Sequence, residues 1–502
     1  MMQSFLLLLL CFLLPFLFII LFKSKPKPKS KSKSKSPKSY PFIGHYFTIY
    51  ANRHRLTQWT SDAVLNSPNL TFLLRRPFGQ SRVITGNPET VQHILKTRFS
   101  TYEKGDTFRT TLSDLLGDGI FNIDGDEWKF QRRVSSHEFN TKSLRHFVEH
   151  VVDAELNERL LPVFTFSAEN NTVLDLQDIL QRFAFDNICK IAFGYDPGYL
   201  TPSLPEAKFA VAFDDAVRIS SERFRSITPL LWKIKRFLNK GSEKRLKLAV
   251  SEVREFAMKI VNEKKQELAD KSSIQSVDLL SRFLSSGQLD EKFVTDMVIS
   301  FILAGRDTTS AALTWFFWLV FKNPEVEKEI VKEIVEKSDC LGFDEVKEMV
   351  YIHASLCETM RLYPPVPVDT KAATTDDVLP DGTVVKKGMM VSYHPYAMGR
   401  VEKLWGEDWK EFRPERWLEK DEKTGNVTFT ARDPYTYPVF QAGPRICLGK
   451  DMAFLQMKRV VAGVLRRFKV VPVEDDDNEP VLVSALTSKM KGGLRVKIKE
   501  RK

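Results

Sequence analysis

Phe440-Gln441-Ala442-Gly443-Pro444-Arg445-Ile446-Cys447-Leu448-Gly449 sets one cysteine in a glycine-flanked loop. Apolar residues follow at Ala453, Met457, Val460, Val464 and Phe468, the spacing of one helix face, so the sulfur stands just ahead of a helix. A thiolate there is favoured by the helix dipole and by nearby backbone N–H groups. Gly443 and Gly449 lack a Cβ, which lets the backbone turn sharply and pass close to a flat partner. Arg445 adds a permanent cation two residues from the sulfur. A lone cysteine in a loop is more often buried and inert, so the surrounding pattern has to carry the case.

Three further groups of residues have spacings that suit chemistry. A long apolar helix is expected from about Glu291 to Phe321, broken at Ala304-Gly305-Arg306-Asp307-Thr308-Thr309. β-Branched hydroxyl residues after a glycine weaken a helix locally, and their side chains compete for backbone carbonyls. Glu358 and Arg361 stand at i, i+3 on one helix face, and Pro414-Glu415-Arg416-Trp417 follows later. Most such pairs are surface bridges contributing ~0–1 kcal/mol. Trp128 and Arg132 are at i, i+4, hence on one face of another amphipathic helix.

The cysteine loop resembles the haem-ligand signature of the cytochrome P-450 family (Phe, two residues, Gly, x, Arg, x, Cys, x, Gly), with no position missing. The other motifs resemble that family's in the same order, and together they cover essentially residues 40–500. The resemblance implies a mainly α fold with smaller β sheets: one large haem domain after an N-terminal membrane helix. It implies haem (iron protoporphyrin IX) with Cys447 as axial thiolate, a ligand that favours O–O bond cleavage. Trp128, Arg132, Arg445 and Lys371 would hold the haem propionates. Lys371 would do so as a point charge, without the fork of an arginine. Thr308 and Asp307 would bind O2 and relay protons, with Ala304 and Gly305 leaving room over the iron. Glu358, Arg361 and Arg416 would form a buried triad that shapes the cysteine loop; its role is structural, because a buried charge cluster needs every member.

No flavin- or nicotinamide-binding glycine fingerprint is present, so electrons must come from a partner. The resemblance implies a membrane-bound NADPH-cytochrome P-450 reductase, and Lys129, Arg133 and Lys450 suit a basic docking face. Phe301, Ile302, Ala304, Val366, Val368 and Leu486 are placed to line an apolar substrate channel. The segments Asp376–Gly382, Tyr393–Arg400 and Trp405–Asp408 resemble the plant long-chain fatty-acid ω-hydroxylase branch. A terminal methyl has stronger C–H bonds than the neighbouring methylenes, so ω-oxidation demands a narrow channel and an anchor for the carboxylate. Lys104 or Arg109, ahead of Trp128, are the expected anchors. The alternative within this branch is an oxylipin conjugate such as a jasmonoyl-amino acid, also a small apolar carboxylate. A hydroperoxide isomerase is disfavoured by the intact Asp307/Thr308 pair. A non-catalytic haem sensor is disfavoured by the complete set of oxygen and electron-transfer motifs.

The elements that must position these groups fit 502 residues with a 43% hydrophobic share and no internal linker after residue 40. Helical periodicity dominates from about 127 to 360, with short strands expected at Thr71–Leu74, Arg82–Thr85 and near 481–498. Residues 3–22 are expected to form an uncleaved transmembrane anchor. The run Phe5–Phe22 spans about 27 Å as a helix, and no basic residue precedes it. Residues 23–40 form a Lys/Ser/Pro-rich linker, and 41–502 the haem domain. The linker's eight lysines suit a cytosolic flank at an endoplasmic reticulum membrane crossed once. Without them the net charge falls from +11 to +3, which gives little support to nucleic-acid binding. Asn69, Asn170 and Asn426 begin sequons that a cytosolic domain should leave unmodified. Five scattered cysteines agree with a reducing compartment.

Overall fold

The helix that carries the oxygen motif organises the molecule. Asp290 caps it, its side chain accepting from the Lys292 N–H at 2.7 Å, and the helix runs through Glu291–Ile302 and Thr308–Lys322. Leu303–Asp307 between them is a wider, π-type turn. Its first half packs with Phe185, Phe213 and Val253 in one apolar core. Its second half packs with Leu356, Val460 and Val464 in another. The interruption therefore falls where the helix passes from one core to the other, and a π-type turn of this kind shifts the register of the faces on either side. In the second core Trp315 stacks on Tyr363 with ring centroids 3.9 Å apart.

The computed structural model describes residues 37–501 except 78–80, 138, 206, 227–228, 271–277, 286–289, 338–340, 424 and 474–478. The expected membrane anchor and residues 23–36 of the linker lie outside the described residues. Among the described residues no helix is long and apolar enough to cross a membrane. Residues 37–502 form one compact unit.

Helices dominate, and the strands make small sheets, as expected. The largest has five strands in the order Thr71–Arg75, Ser81–Thr85, Met390–Tyr393, Asp369–Ala373, Tyr102–Glu103. Both strands expected near its edge are present. Phe468–Pro472, Arg495–Glu500 and Val173–Asp175 form a three-stranded sheet, and Leu482–Ser484 pairs with Ser488–Met490 in a terminal hairpin. The cysteine loop leads into helix Lys450–Arg467, whose Met457, Val460 and Val464 are buried. Phe468 closes that apolar face from the first position of the following strand.

Candidate active site

Between the cysteine loop and the interrupted helix lies a cavity of about 540 Å³. Phe440, Gln441, Arg445 and Cys447 form one wall, and Phe301, Ala304, Gly305 and Thr308 the facing one. Cys189 and Cys357 are buried, whereas the Cys447 side chain is accessible, and the space it opens into is this cavity. Its N–H donates to the Phe440 carbonyl at 2.8 Å, which closes the loop beneath the sulfur. Burial pushes the Cys447 thiol up, and the Gly449 N–H, Arg132 and Lys450 pull against that shift. A metal ion at the sulfur would tip the balance to thiolate outright.

The two loop glycines behave differently from each other. Gly443 has φ +65°, and a Cβ there would sit 2.2 Å from the Leu95 carbonyl oxygen. Its close approach is thus to this chain's own backbone. Within the chain itself a Cβ on Gly449 would meet only Phe139, at an ordinary 3.5 Å, and Gly449 lines the same cavity as Cys447. Gly305 likewise makes room for a neighbour: a Cβ would lie 2.6 Å from Ile188 Cγ1 on helix Leu176–Phe193. The space beside Thr308 is left by Ala304, while Gly305 lets two helices touch.

Basic and aromatic groups gather at one edge of the cavity. The Arg445 guanidinium lies 4.3 Å from the centre of the Trp128 ring, and that of Arg132 5.9 Å. Arg445 Nη2 donates to Asp124 Oδ1 at 2.6 Å and to the Ile123 carbonyl at 2.9 Å. Lys371 stands behind this edge, its Nζ buried without a hydrogen-bond partner and 3.7 Å from Asp369 Oδ2. Burial drives the Lys371 pKa down to about 7 against the pull of Asp369, with Lys104 and Arg445 adding repulsion. An accessible sulfur in the wall, two guanidiniums over the Trp128 ring and the orphaned Lys371 ammonium near Arg445 fit an iron-bearing group with anionic edge substituents, which is haem.

The buried triad is complete. Glu358 Oε1 accepts from Arg361 Nη2 at 2.7 Å, Arg416 Nε at 3.0 Å and the Arg413 N–H at 3.1 Å. Its Oε2 accepts from Arg361 Nε at 2.8 Å and Trp417 Nε1 at 2.9 Å. Arg361 also donates to the Trp409 and Glu411 carbonyls at 2.8 and 3.0 Å, so helix Val350–Leu362 is tied to the segment after residue 405. From the same helix the Cys357 carbonyl accepts from Tyr437 Oη at 2.9 Å, three residues before the cysteine loop. The triad thus stands apart from the cavity wall, and its helix reaches the segment just before the cysteine loop through Tyr437.

Several expected residues take other places. Ile302 is fully buried among the core side chains and does not reach the cavity, because its position on the helix faces away from Phe301. Arg109 is exposed and off the cavity wall. Lys104 is on the wall, but its Nζ lies 3.8 Å from Asp369 Oδ1, in the same charged network as Lys371. Asp307 is not on the cavity wall itself but reaches it through Thr487, which lines the cavity. Its Oδ1 accepts from Arg306 Nη1 at 2.7 Å, and its Oδ2 accepts from Thr487 Oγ1 at 3.3 Å. Arg306 continues to Asp214 at 2.7 Å, and Asp214 to Lys489 at 2.9 Å. Burial opposes the Arg306 charge, but Asp307 and Asp214 outweigh it and raise its pKa. Phe301, Ala304, Val366, Val368 and Leu486 line the cavity as expected. Phe108, Leu112 and Leu116 were not anticipated there, although their i, i+4, i+8 spacing on helix Gly105–Leu116 marks one apolar face. Thr487 carried no sequence signal, since its link to Asp307 spans 180 positions.

A cysteine-bearing loop facing an interrupted helix, in a mainly helical fold with a basic cavity edge, defines a haem-thiolate oxygenase. Residues 35–496 match the family model described as cytochrome P450, and the chain belongs to that family, a monooxygenase with a thiolate-held haem. It is similar to cytochrome P450 94A1 of Vicia sativa, 64% identical over 93% of this chain and 90% of the relative. Cytochrome P450 94A2 of the same plant is also 64% identical, over 93% of this chain and 91% of its own length. Cytochrome P450 94B1 of Arabidopsis thaliana is 49% identical, again over 93% of this chain and 91% of its own length.

Proposed function

We propose that this chain hydroxylates the terminal carbon of long-chain fatty acids, at the endoplasmic reticulum membrane, with electrons from NADPH delivered by a reductase. The observation that carries this reading is the wall of the cavity. Phe108, Leu112, Leu116, Phe301, Val366 and Leu486 enclose an apolar space that ends between Thr308 and Cys447. An alkyl chain seated there gains from removal of its surface from water and presents its end to the reacting centre.

Haem bound through Cys447, with Trp128, Arg132, Arg445 and Lys371 at its propionates, supplies activation of dioxygen. The remaining tasks fall to this chain's own side chains. Ala304 keeps the space beside Thr308 open, and the Thr308 hydroxyl holds a proton at the cavity surface. Asp307, Arg306, Asp214 and Lys489 form a charged line from behind Thr308 towards the surface, in which Arg306 keeps its own proton and holds the Asp307 carboxylate in place. The apolar wall excludes water and holds the methylenes away, so the stronger C–H bonds of the terminal methyl are the ones in reach. Lys129, Arg133 and Lys450 are exposed and support a basic face for the reductase. The apolar run Phe5–Phe22 and the lysines after it support the membrane location.

The test is product analysis in microsomes with reductase and NADPH, offering fatty acids of graded length and jasmonoyl-isoleucine in parallel. ω-Hydroxy acids are expected; oxidation of the conjugate alone would replace the fatty-acid reading. A reduced carbon-monoxide difference spectrum, lost in Cys447→Ala, tests the haem ligand separately.

A further inference from the structure

Three arginines converge on the cavity from separate elements. Arg76 follows the strand Thr71–Arg75, Arg82 lies in Ser81–Thr85, and Arg225 ends helix Lys208–Arg225. All three line the cavity. Among the described residues, no carboxylate lies within ion-pair distance of any of them. Glu222, one turn before Arg225, is engaged by Arg218 Nη1 at 2.7 Å.

Their hydrogen bonding is incomplete. Arg82 Nε is buried without a partner, and its Nη2 donates only to the Met390 sulfur at 3.2 Å, a weak acceptor. Arg76 Nη2 donates to the Ser226 carbonyl at 2.5 Å, which ties it to the residue after Arg225. Burial lowers the pKa of all three, and for Arg82, pushed down to about 10, repulsion from Arg76 adds to the effect. Half-buried like charges without a counter-ion are unfavourable, and an anion among them relieves both desolvation and repulsion.

Their position also distinguishes them from the haem edge. Arg82 shares a sheet face with Ile84, and Ser392 lies across from Ile84; all three line the cavity. Exposed Arg53 and His54 are on the same wall, which marks this region as reaching solvent. Arg53 and Arg225 also border a second cavity of about 250 Å³, with Tyr50, Leu56 and Leu231. At the haem edge, by contrast, Lys104 and Arg445 each already have a carboxylate partner, Asp369 and Asp124.

We infer that Arg76, Arg82 and Arg225 anchor the substrate carboxylate at the solvent-reaching part of the cavity, so that the alkyl chain lies along the apolar wall with its methyl beside Thr308. This rests on the fatty-acid reading and replaces Lys104 and Arg109 as the anchor. Guanidinium groups suit the role, since each can offer two parallel N–H donors to a carboxylate. At this place the carboxylate keeps part of its hydration, which limits the cost of binding.

The test uses full-length protein in microsomes with reductase and NADPH, and compares a long-chain fatty acid with its methyl ester. In Arg82→Gln, Arg76→Gln and the double variant, KM for the free acid should rise about tenfold or more per lost charge-assisted contact. Product should spread from the ω position to inner carbons. Turnover of the ester should change little, and Arg82→Lys should recover part of the affinity for the acid. Arg109→Gln is the control expected to behave as wild type. Unchanged KM and product position for the acid in the double variant would overturn the anchor. So would an equal loss for acid and ester, which would mark the arginines as merely structural. If wild type oxidises the jasmonoyl conjugate and no fatty acid, the fatty-acid reading fails. The anchor then stands or falls on whether the same variants discriminate the conjugate's free acid from its ester.

Discussion

Thr308 donates its hydroxyl to the Ala304 carbonyl at 2.6 Å, across the π-type turn that interrupts the central helix. Both residues line the cavity, so the bond sits at the surface where oxygen chemistry is proposed. Thr308→Ala should keep the fold and the carbon-monoxide spectrum. Product formed per NADPH consumed should fall by about tenfold or more, the scale of a lost proton-transfer group. Thr308→Ser should retain most of the coupling. Equal coupling in all three proteins would remove Thr308 from the proton path.

Gly305→Ala should destabilise the protein, because its Cβ would lie 2.6 to 2.8 Å from three carbons of Ile188. Overpacking of this kind costs about 1–3 kcal/mol. Ile188→Ala removes two of those carbons. The double variant should therefore lose less stability than the two single losses together, as read from denaturant midpoints. Strict additivity would show that the contact is slack.

Glu358→Gln tests the triad. Five donors converge on the two oxygens of this carboxylate, and the amide would turn an NH2 towards some of them. Leaving Arg361 and Arg416 without their buried counter-charge should cost about 3–5 kcal/mol. A fall in Tm together with a loss of haem incorporation is expected. A stable variant that only turned over slowly would point to catalysis instead.

His394 makes stability depend on pH. It is fully buried; its Nδ1 accepts from the Ala397 N–H at 3.1 Å and its Nε2 meets Thr60 Oγ1 at 2.9 Å. Burial, aided by Arg400, lowers its pKa to about 3, so the ring is neutral in the folded protein. The unfolded chain takes up this proton near pH 6.5 and the folded one only near pH 3. The stabilisation is therefore present above pH 6.5 and lost as pH falls through that window, by about 2 kcal/mol between pH 7 and pH 5. His394→Asn keeps an acceptor for the cap but does not titrate. Its urea midpoint should fall less steeply over that interval, and an unchanged slope would rule His394 out as the source.

The residues of the cysteine loop, the Trp128/Arg132 pair and the Glu358/Arg361 pair were legible in the chain because each depends on near neighbours. Helical spacing puts i, i+3 and i, i+4 residues on one face, and a loop's turn chemistry is written in consecutive positions. The break at Ala304–Thr309 was legible for the same reason, although its form, a single π-type turn, was not. Phe108, Leu112 and Leu116 could have been found from their spacing alone.

What the chain determined by itself was thus which elements form and which residue types they carry to the haem. Tertiary structure decided what each side chain faces. Asp307 adjoins Thr308 in sequence yet is held by Arg306 and by Thr487, a cavity-lining residue 180 positions away. Gly305 and Gly443 serve Ile188 and Leu95, neighbours more than a hundred positions distant. Arg76, Arg82 and Arg225 meet only because a sheet edge and a helix end fold onto one cavity. Such encounters depend on long-range packing, where burial and side-chain direction are set by elements that share no local pattern.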